Sequence, residues 1–444
     1  MIYRRIQNLL FITICFFMLV CFLSSCGNHK NASEEIYSDG TEEKIEKEYS
    51  ESLINAISES KAESENHEKD TLEENNNSKS TEESLDINTT EVVISEEITD
   101  KVIDIIMVGD ILLHTPVEKA ALQEDGSYKY DAIFANLTEE ISAADLAIVN
   151  QEVIIGGEEL GISGYPAFNA AYSAGDALVD AGFDVICHGT NHALDKGRKG
   201  LLNCIAFWKE HYPDIAVLGI HDSKESQDNV YIYEQEGVKI AILNFTYGTN
   251  GIPLPEDMPF AVDLLQENKV VEQIKLAEEL ADFTIVCPHW GTEYQLLHSS
   301  NQEKWAKIFA ENGVDLVIGT HPHVIQPVEW ITIEETGHEM LVYYSLGNFV
   351  NWTSESGAGI ANRMVGGMAE ISIVMDGDNA KISEYGVQPV VCHLEEGING
   401  VTVYSLDEYT EELAGRNQII HQDSAFNLAY CKELCNQVWP QFAE

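Results

Sequence analysis

From Val102 onward the chain alternates short, wholly apolar runs with segments whose apolar residues recur every three or four positions. The first kind reads as buried strands and the second as amphipathic helices. Strands are predicted at Val102–Val108, Leu146–Val149, Phe183–Cys187, Ala216–Leu218, Val238–Phe245, Phe283–Cys287 and Val314–Ile318. Helices are predicted at Ala132–Ala143, Ala174–Ala181, Gly197–Trp208, Asp263–Ala281 and Asn301–Asn312. Strands that are apolar on both faces need cover on both sides. Farther along, Met340–Ser345, Met368–Met375 and Lys381–Pro389 read as antiparallel strands, with Asp376-Gly377-Asp378-Asn379 as the turn between the last two. Ser405–Val438 reads as mostly helical. There are strands for two sheets and helices to cover both, which predicts an α/β fold of four layers, an α/β/β/α sandwich. A doubly wound open sheet is the alternative.

The pattern is different before Val102. Arg4 and Arg5 precede an almost wholly apolar run from Ile6 to Leu23. Leu23-Ser24-Ser25-Cys26 then places small residues before a cysteine, as a lipobox does. The segment resembles a bacterial lipoprotein signal peptide, which implies lipidation at Cys26 and a mature chain on the outer face of the cell membrane. The alternative is an uncleaved anchor, since the run is just long enough to span. Both readings place residues 27–444 outside the cytoplasm. Residues 27–101 are rich in Glu, Ser, Asn and Lys and nearly free of aromatics, so they cannot offset their own ordering entropy and read as a disordered acidic tether. The expected organisation is a signal peptide at 1–26, the tether at 27–101, a folded domain at 102–400, and a helical extension at 401–444 packed on that domain.

Charge narrows the partners. The chain of 444 residues has 75 acids against 25 Lys and Arg, a formal net charge of −50. The tether accounts for 22 acids and 7 lysines, so most of the excess lies in the folded part. Binding a nucleic acid duplex needs a basic excess, and duplexes are excluded as partners. Of nine cysteines, Cys15, Cys21 and Cys26 fall in the signal. The other six show neither zinc-site spacing nor a disulfide framework. Cys187 and Cys287 end apolar strands and read as buried thiols; Cys431 and Cys435, four apart in a helical pattern, read as packed thiols or as a disulfide.

Chemistry enters where the strands end. Val102–Gly109 leads to Asp110, with His114 four residues on. Leu146–Asn150 leads to Glu152, Phe183–Cys187 to His188 and Thr190-Asn191-His192, Phe283–Cys287 to His289, and Val314–Ile318 to His321 and His323. Ligands of α/β sheets sit beyond the carboxyl ends of the strands. A lone histidine there is more often structural, but five strands aiming carboxylate, amide and imidazole at one edge suit a pair of divalent ions with a bridging carboxylate. This donor set fits Mn, Fe or Zn better than Ca or Mg. His192 and Asp195 lie three apart, where a carboxylate can orient an imidazole as a general acid. The alternative is that Asp195 caps the helix starting near Gly197, and the two roles can coexist.

Six motifs occur in order: Gly109-Asp110-Ile111-Leu112-Leu113-His114, Asn150-Gln151-Glu152, Thr190-Asn191-His192-Ala193-Leu194-Asp195, His289-Trp290-Gly291-Thr292-Glu293, His321-Pro322-His323-Val324-Ile325-Gln326-Pro327 and Tyr344-Ser345-Leu346-Gly347-Asn348-Phe349. Over about residues 102–393 the chain resembles the CapA family of poly-gamma-glutamate capsule synthesis proteins, a divergent branch of the calcineurin-like metallophosphoesterases. The resemblance implies a metallophosphoesterase-type sandwich. It implies that Asp110 and His323 hold a first metal, that Glu152 bridges, and that Asn191, His289 and His321 hold a second. His192, oriented by Asp195, would then protonate the leaving oxygen. His114 is a further metal or substrate contact, although the phosphoesterase pattern is Asp-x-His and here the spacing is four. The bridging residue is Glu where that pattern has Asp. Trp290, Glu293 and Asn348 are expected beside the substrate or behind the ligands, Gly347 to shape the rim, and Tyr165-Pro166 with Phe168 to form a substrate-side or plain surface loop.

Three functions are consistent with this. One is capsule or envelope-polymer assembly at the outer membrane face, making, exporting or tethering poly-gamma-glutamate or another anionic polymer alongside membrane-bound synthase or export proteins. A second is an extracytoplasmic metal-dependent phosphatase or phosphodiesterase. A third is a non-catalytic, polymer-binding lipoprotein.

Overall fold

The computed structural model describes residues 102–442, Asp378 excepted. The export signal, the lipidation site Cys26 and the acidic tether lie outside the described residues. No helix among the described residues is long and apolar enough to cross a membrane.

Two sheets form the centre. The first has the strand order β14-β13-β12-β1-β2-β3-β4. Its parallel part comprises β1 (Val102–Leu112), β2 (Leu146–Asn150), β3 (Val185–Cys187) and β4 (Ala216–Leu218). The second sheet has the order β5-β6-β7-β8-β10-β9. Here β6 (Val238–Thr246), β7 (Phe283–His289), β8 (Leu316–Ile318) and β10 (His338–Tyr343) are parallel, while β5 (Tyr231–Gln235) and β9 (Val328–Ile333) run antiparallel along the two edges. Short β11 (Asn348–Asn351) pairs with the end of β1. Strands β12 (Val365–Asp376) and β13 (Asn379–Leu394) form the expected hairpin, closed by Asp376 opposite Asn379 with Gly377 at φ +67°.

Alternation along the strands separates the layers. In the second sheet Ile285, Leu316, Ile318, Leu341 and Tyr343 join one apolar core with Ile105, Ile148 and Ile186 of the first sheet. Their neighbours Val286, Val317 and Val342 form a separate core with Val270, Ile274, Trp305 and Phe309 of the helices Glu267–Leu280 and Ser300–Glu311. Helices Tyr172–Ala181 and Gly197–His211 supply Ala174, Leu178, Leu201 and Trp208 to the first core. The result is a four-layer α/β/β/α sandwich, and the open-sheet alternative is set aside because the two sheets share a core.

Several elements differ from expectation. The segment 132–143 breaks into two short helices, Asp131–Phe134 and Thr138–Ala143. The helix expected from Asp263 begins at Glu267, because the Asp263 carboxylate is held by His221 Nε2 at 2.6 Å and by the Gln227 side chain. Strand β10 is antiparallel to β9 but parallel to β8. The segment after residue 400 does not start as helix: Val401–Ser405 is β14, paired with β13, and the helix Leu428–Val438 follows later. All six cysteines of the described residues are buried free thiols.

Close backbone approach fixes the end of β1. A Cβ on Gly109 would lie 2.0 Å from Gly347 O, whose oxygen accepts the Asp110 N–H at 2.9 Å. Gly109→Ala is therefore expected to destabilise the protein by about 3 kcal/mol, the upper range of overpacking, in urea unfolding.

Just beyond β1, Glu118 is buried with Tyr130 O–H donating to its Oε2, while its Oε1 has no partner. Burial pushes this carboxyl up to about 8, against the opposing effect of the Tyr130 hydroxyl. A raised acid prefers its proton in the folded state. The associated stability is full below its ordinary value of 4.5 and is lost as pH rises through about 8. Glu118→Gln stays neutral. Wild type should lose a few kcal/mol relative to this variant between pH 5 and 9, since a tenfold change in proton affinity is worth about 1.4 kcal/mol. Denaturant midpoints across pH test this.

Candidate metal centre

The carboxyl ends of both sheets meet at one place. Asp110 sits where the register of β1 shifts against both β2 and β11, a bulge-like irregularity that re-aims a side chain. Its Cα neighbours across the sheet are Asn150 and Asn348. Asn150 Nδ2 donates to Asp110 Oδ1 at 2.9 Å, and the His321 backbone N–H lies 3.2 Å from the same oxygen. The second sheet contributes His289 at the end of β7, and the loop after β8 contributes His321 and His323.

Glu152 lies at the middle. It is fully buried, and neither carboxylate oxygen has a hydrogen-bond partner. Its Oε1 is 3.6 Å from His289 Nε2, 3.7 Å from His323 Nε2 and 3.9 Å from His192 Nε2. Among the described residues, three groups bring ligand atoms within 4.8 Å of one another: Asp110, Glu152 and His323; Glu152, His289 and His321; and Glu293, His321 and His323. Glu152 is common to the first two, as a bridging carboxylate would be. Asn191 Oδ1 approaches His289 Nε2 at 2.9 Å. A buried carboxylate without hydrogen bonds needs positive charge beside it, and this oxygen and imidazole set fits divalent Mn, Fe or Zn.

The electrostatics agree with that fit. Burial works to raise Glu152, but His323 and His289 outweigh it and hold the carboxyl well below its usual range. Burial and the Glu152 charge push Asp110 up. His323 is lowered by burial yet raised more by Glu152 and Asp110, up to about 9. Its Nδ1 is 3.0 Å from Asp110 Oδ2 and 3.1 Å from Asn348 Oδ1. Burial and the neighbouring His289 depress His321, whose Nδ1 has no partner. His321 and His323 both take positive φ, +98° and +60°, uncommon for residues with a side chain and typical of functional loops.

His192 faces the same centre. Its Nδ1 lies 2.7 Å from Asp195 Oδ2, which also accepts the Phe168 backbone N–H at 2.7 Å. The Phe168 ring packs edge-on to His192 at 4.6 Å. The helix Gly197–His211 starts after Lys196 with no side-chain cap, so the Asp195 carboxylate is used by His192 and Phe168 rather than as a cap.

Other expected positions fall differently. His114 joins none of the three groups. It precedes the helix Thr115–Ala121 and packs edge-on to Phe168 at 5.1 Å, and burial followed by His323 lowers it to about 4. Trp290 is buried in the helix-side core of the second sheet and donates to Tyr344 O, so it supports the backbone rather than a substrate. Asn348 braces the His323 loop, with Nδ2 donating to His323 O and to Arg363 O. Phe168 is buried, and Tyr165 is exposed. His188 faces Trp208 and Cys204 inside the first core, away from the centre.

Other neighbours carried no warning in the sequence. Thr320 Oγ1 lies 3.0 Å from His289 Nδ1. The Tyr247 ring covers His321 at 4.6 Å, and the Tyr294 ring, with Arg363 over it at 3.5 Å, lies 6.0 Å from His323. Asn150, by contrast, is marked in the sequence by its place at a strand end, in Asn150-Gln151-Glu152.

The sequence pattern of the family described as "Bacterial capsule synthesis protein PGA_cap" matches residues 104–353. Two relatives are the capsule biosynthesis protein CapA of Bacillus anthracis, 29% identical, and the PGA biosynthesis protein CapA of Bacillus subtilis (strain 168), 27% identical. The matches cover 56% and 57% of this chain and span 60% and 66% of the length of those proteins. Among solved structures, the calcineurin-like phosphoesterase YfkN from Bacillus subtilis aligns over 75% of this chain and 99% of its own, at 16% identity and a TM-score of 0.37.

Saturating Mn²⁺ is expected to raise stability by about 3 kcal/mol at a hundred times Kd. Glu152→Gln should abolish that gain in a thermal melt while leaving the metal-free melting temperature within a few degrees.

Proposed function

The chain belongs to the bacterial capsule synthesis protein PGA_cap family, and from that premise we propose that it serves capsule or envelope-polymer assembly through a metal-dependent phosphoesterase site. The observation that carries this reading is the Glu152 carboxylate, buried and without a hydrogen bond among His289, His323 and His192.

Bound divalent ions would polarise a phosphoryl oxygen and activate a water for in-line attack. Asp110, Glu152, Asn191, His289, His321 and His323 would hold them. His192 would give a proton from Nε2 to the leaving oxygen. The Asp195 carboxylate at Nδ1 fixes that tautomer, and the Phe168 N–H keeps Asp195 in place. A protein that only bound polymer would have no physical need for this oriented imidazole beside the carboxylate.

The lipobox and acidic tether support an extracytoplasmic protein held at the membrane through Cys26, beside polymer synthase or export proteins. The acidic surface repels a polyanion unless cations bridge them. A phosphoester intermediate or linkage of the polymer is therefore the favoured substrate over the polyglutamate chain itself.

Hydrolysis of aryl phosphate mono- and diesters by the purified protein tests this. Turnover should require Mn²⁺, vanish with chelator, and fall at least about a hundredfold in folded His192→Ala, the usual scale of general acid catalysis. A folded, metal-loaded protein whose polymer binding survives His192→Ala and His323→Ala without turnover would instead be a binding lipoprotein.

A further inference from the structure

Glu293 occupies a position that the family's metal pattern leaves without a role. This inference rests on the metal-centre reading above. The group around the first ion, Asp110, Glu152 and His323, lacks the imidazole that an Asp-x-His strand would add, and His114 does not replace it. From the solvent side, a carboxylate oxygen of exposed Glu293 lies within 4.8 Å of ligand nitrogens of both His321 and His323. Those two histidines belong one to each inner group, so Glu293 reaches the face on which both groups open. His321 is 3% exposed, and its buried Nδ1 makes no hydrogen bond within the protein.

The loop that carries Glu293 is built to hold it there. Gly291 takes φ +95°, and the Gln302 side chain fills the space a Cβ would need. Tyr294 takes φ +67°, and its N–H donates to Pro322 O at 2.7 Å, which ties this loop to the one bearing His321 and His323. Arg363 is paired with Glu355 at 2.6 Å.

We propose that Glu293 is a metal ligand, giving a carboxylate oxygen to the divalent ion at His323 in the place left by the imidazole missing after Asp110. It is the exposed member of an otherwise buried set, so it is also the ligand that an incoming phosphate oxygen would displace.

The test is a Co²⁺ titration of the full-length protein, read by visible absorption and by metal content after dialysis, with thermal melts to confirm folding. Wild type is compared with Glu293→Gln, Glu293→Asp and the nearby exposed carboxylate variant Glu355→Gln. The proposal expects Glu293→Gln to bind one ion roughly 10–100-fold more weakly and to show a changed cobalt spectrum. Glu293→Asp should restore part of both, and Glu355→Gln should match wild type. Wild-type affinity with an unchanged spectrum in Glu293→Gln overturns it. Equal weakening in both Gln variants with unchanged spectra also overturns it, because that is charge acting through space. A wild-type protein that takes up no metal overturns the centre itself, and this proposal with it, whereas a failure confined to Glu293→Gln leaves the centre standing.

Discussion

A carboxylate stripped of water and given no hydrogen bond is stable only where positive charge replaces what it lost. Glu152 is in that state, and the layout of the domain follows from it. The replacing charge has to come from imidazoles or from cations, and the two nearest imidazoles, His289 and His323, sit on a different sheet. One sheet supplies Asp110, and the loops after its strands supply Glu152 and Asn191; the other supplies His289, His321 and His323. The sheets must therefore pack with the carboxyl ends of their parallel strands adjacent. The shared core of Ile105, Ile148, Ile285 and Leu316 enforces that alignment.

Once the sheets are fixed, the last few ångströms are set by irregular backbone. The register shift at Asp110, the Gly109–Gly347 contact and the positive φ of His321 and His323 each depart from regular structure. All lie within the same hydrogen-bonded neighbourhood, since Asp110 accepts from the His321 N–H and lies beside His323 Nδ1. Strain concentrated this way persists only when surrounding packing over-determines it. Trp290 is part of that packing: its indole N–H holds Tyr344 O beneath the loop that follows β8. It acts on the centre without touching it.

The buried parallel strands were legible because a fully covered strand is apolar on both faces and ends abruptly in polar residues. That same abruptness marked Asp110, His289, His321 and His323. The edge strands of the second sheet were not legible: β5 and β9 are half exposed, and their mixed composition resembles loop. His188 shows why a strand end alone is insufficient evidence. It follows β3 much as His289 ends β7, yet its ring turns into the helix layer against Trp208, where burial lowers it to about 3. Which face a residue takes depends on strand register, and a sequence does not state register. Thr320 and Tyr247 went unseen because their roles arise from pairing across the sheet and from loop packing.

Two of the histidine–aspartate pairs are alike in separation and burial. His192 with Asp195 and His221 with Asp263 have nearly equal separations, 2.7 and 2.6 Å, and both are largely buried. By local geometry alone they are interchangeable. The difference lies in what the other ring nitrogen meets. His221 Nδ1 approaches the Ser226 hydroxyl at 3.4 Å, and its carboxylate partner is shared with the Gln227 side chain, so that pair anchors a loop to the start of a helix. His192 Nε2 lies 3.9 Å from Glu152 Oε1, which has no hydrogen bond. An imidazole oriented by a carboxylate becomes an acid only where a reacting atom can reach it. Under the proposed function, the position of Glu152 rather than anything within the pair would place His192 beside such an atom.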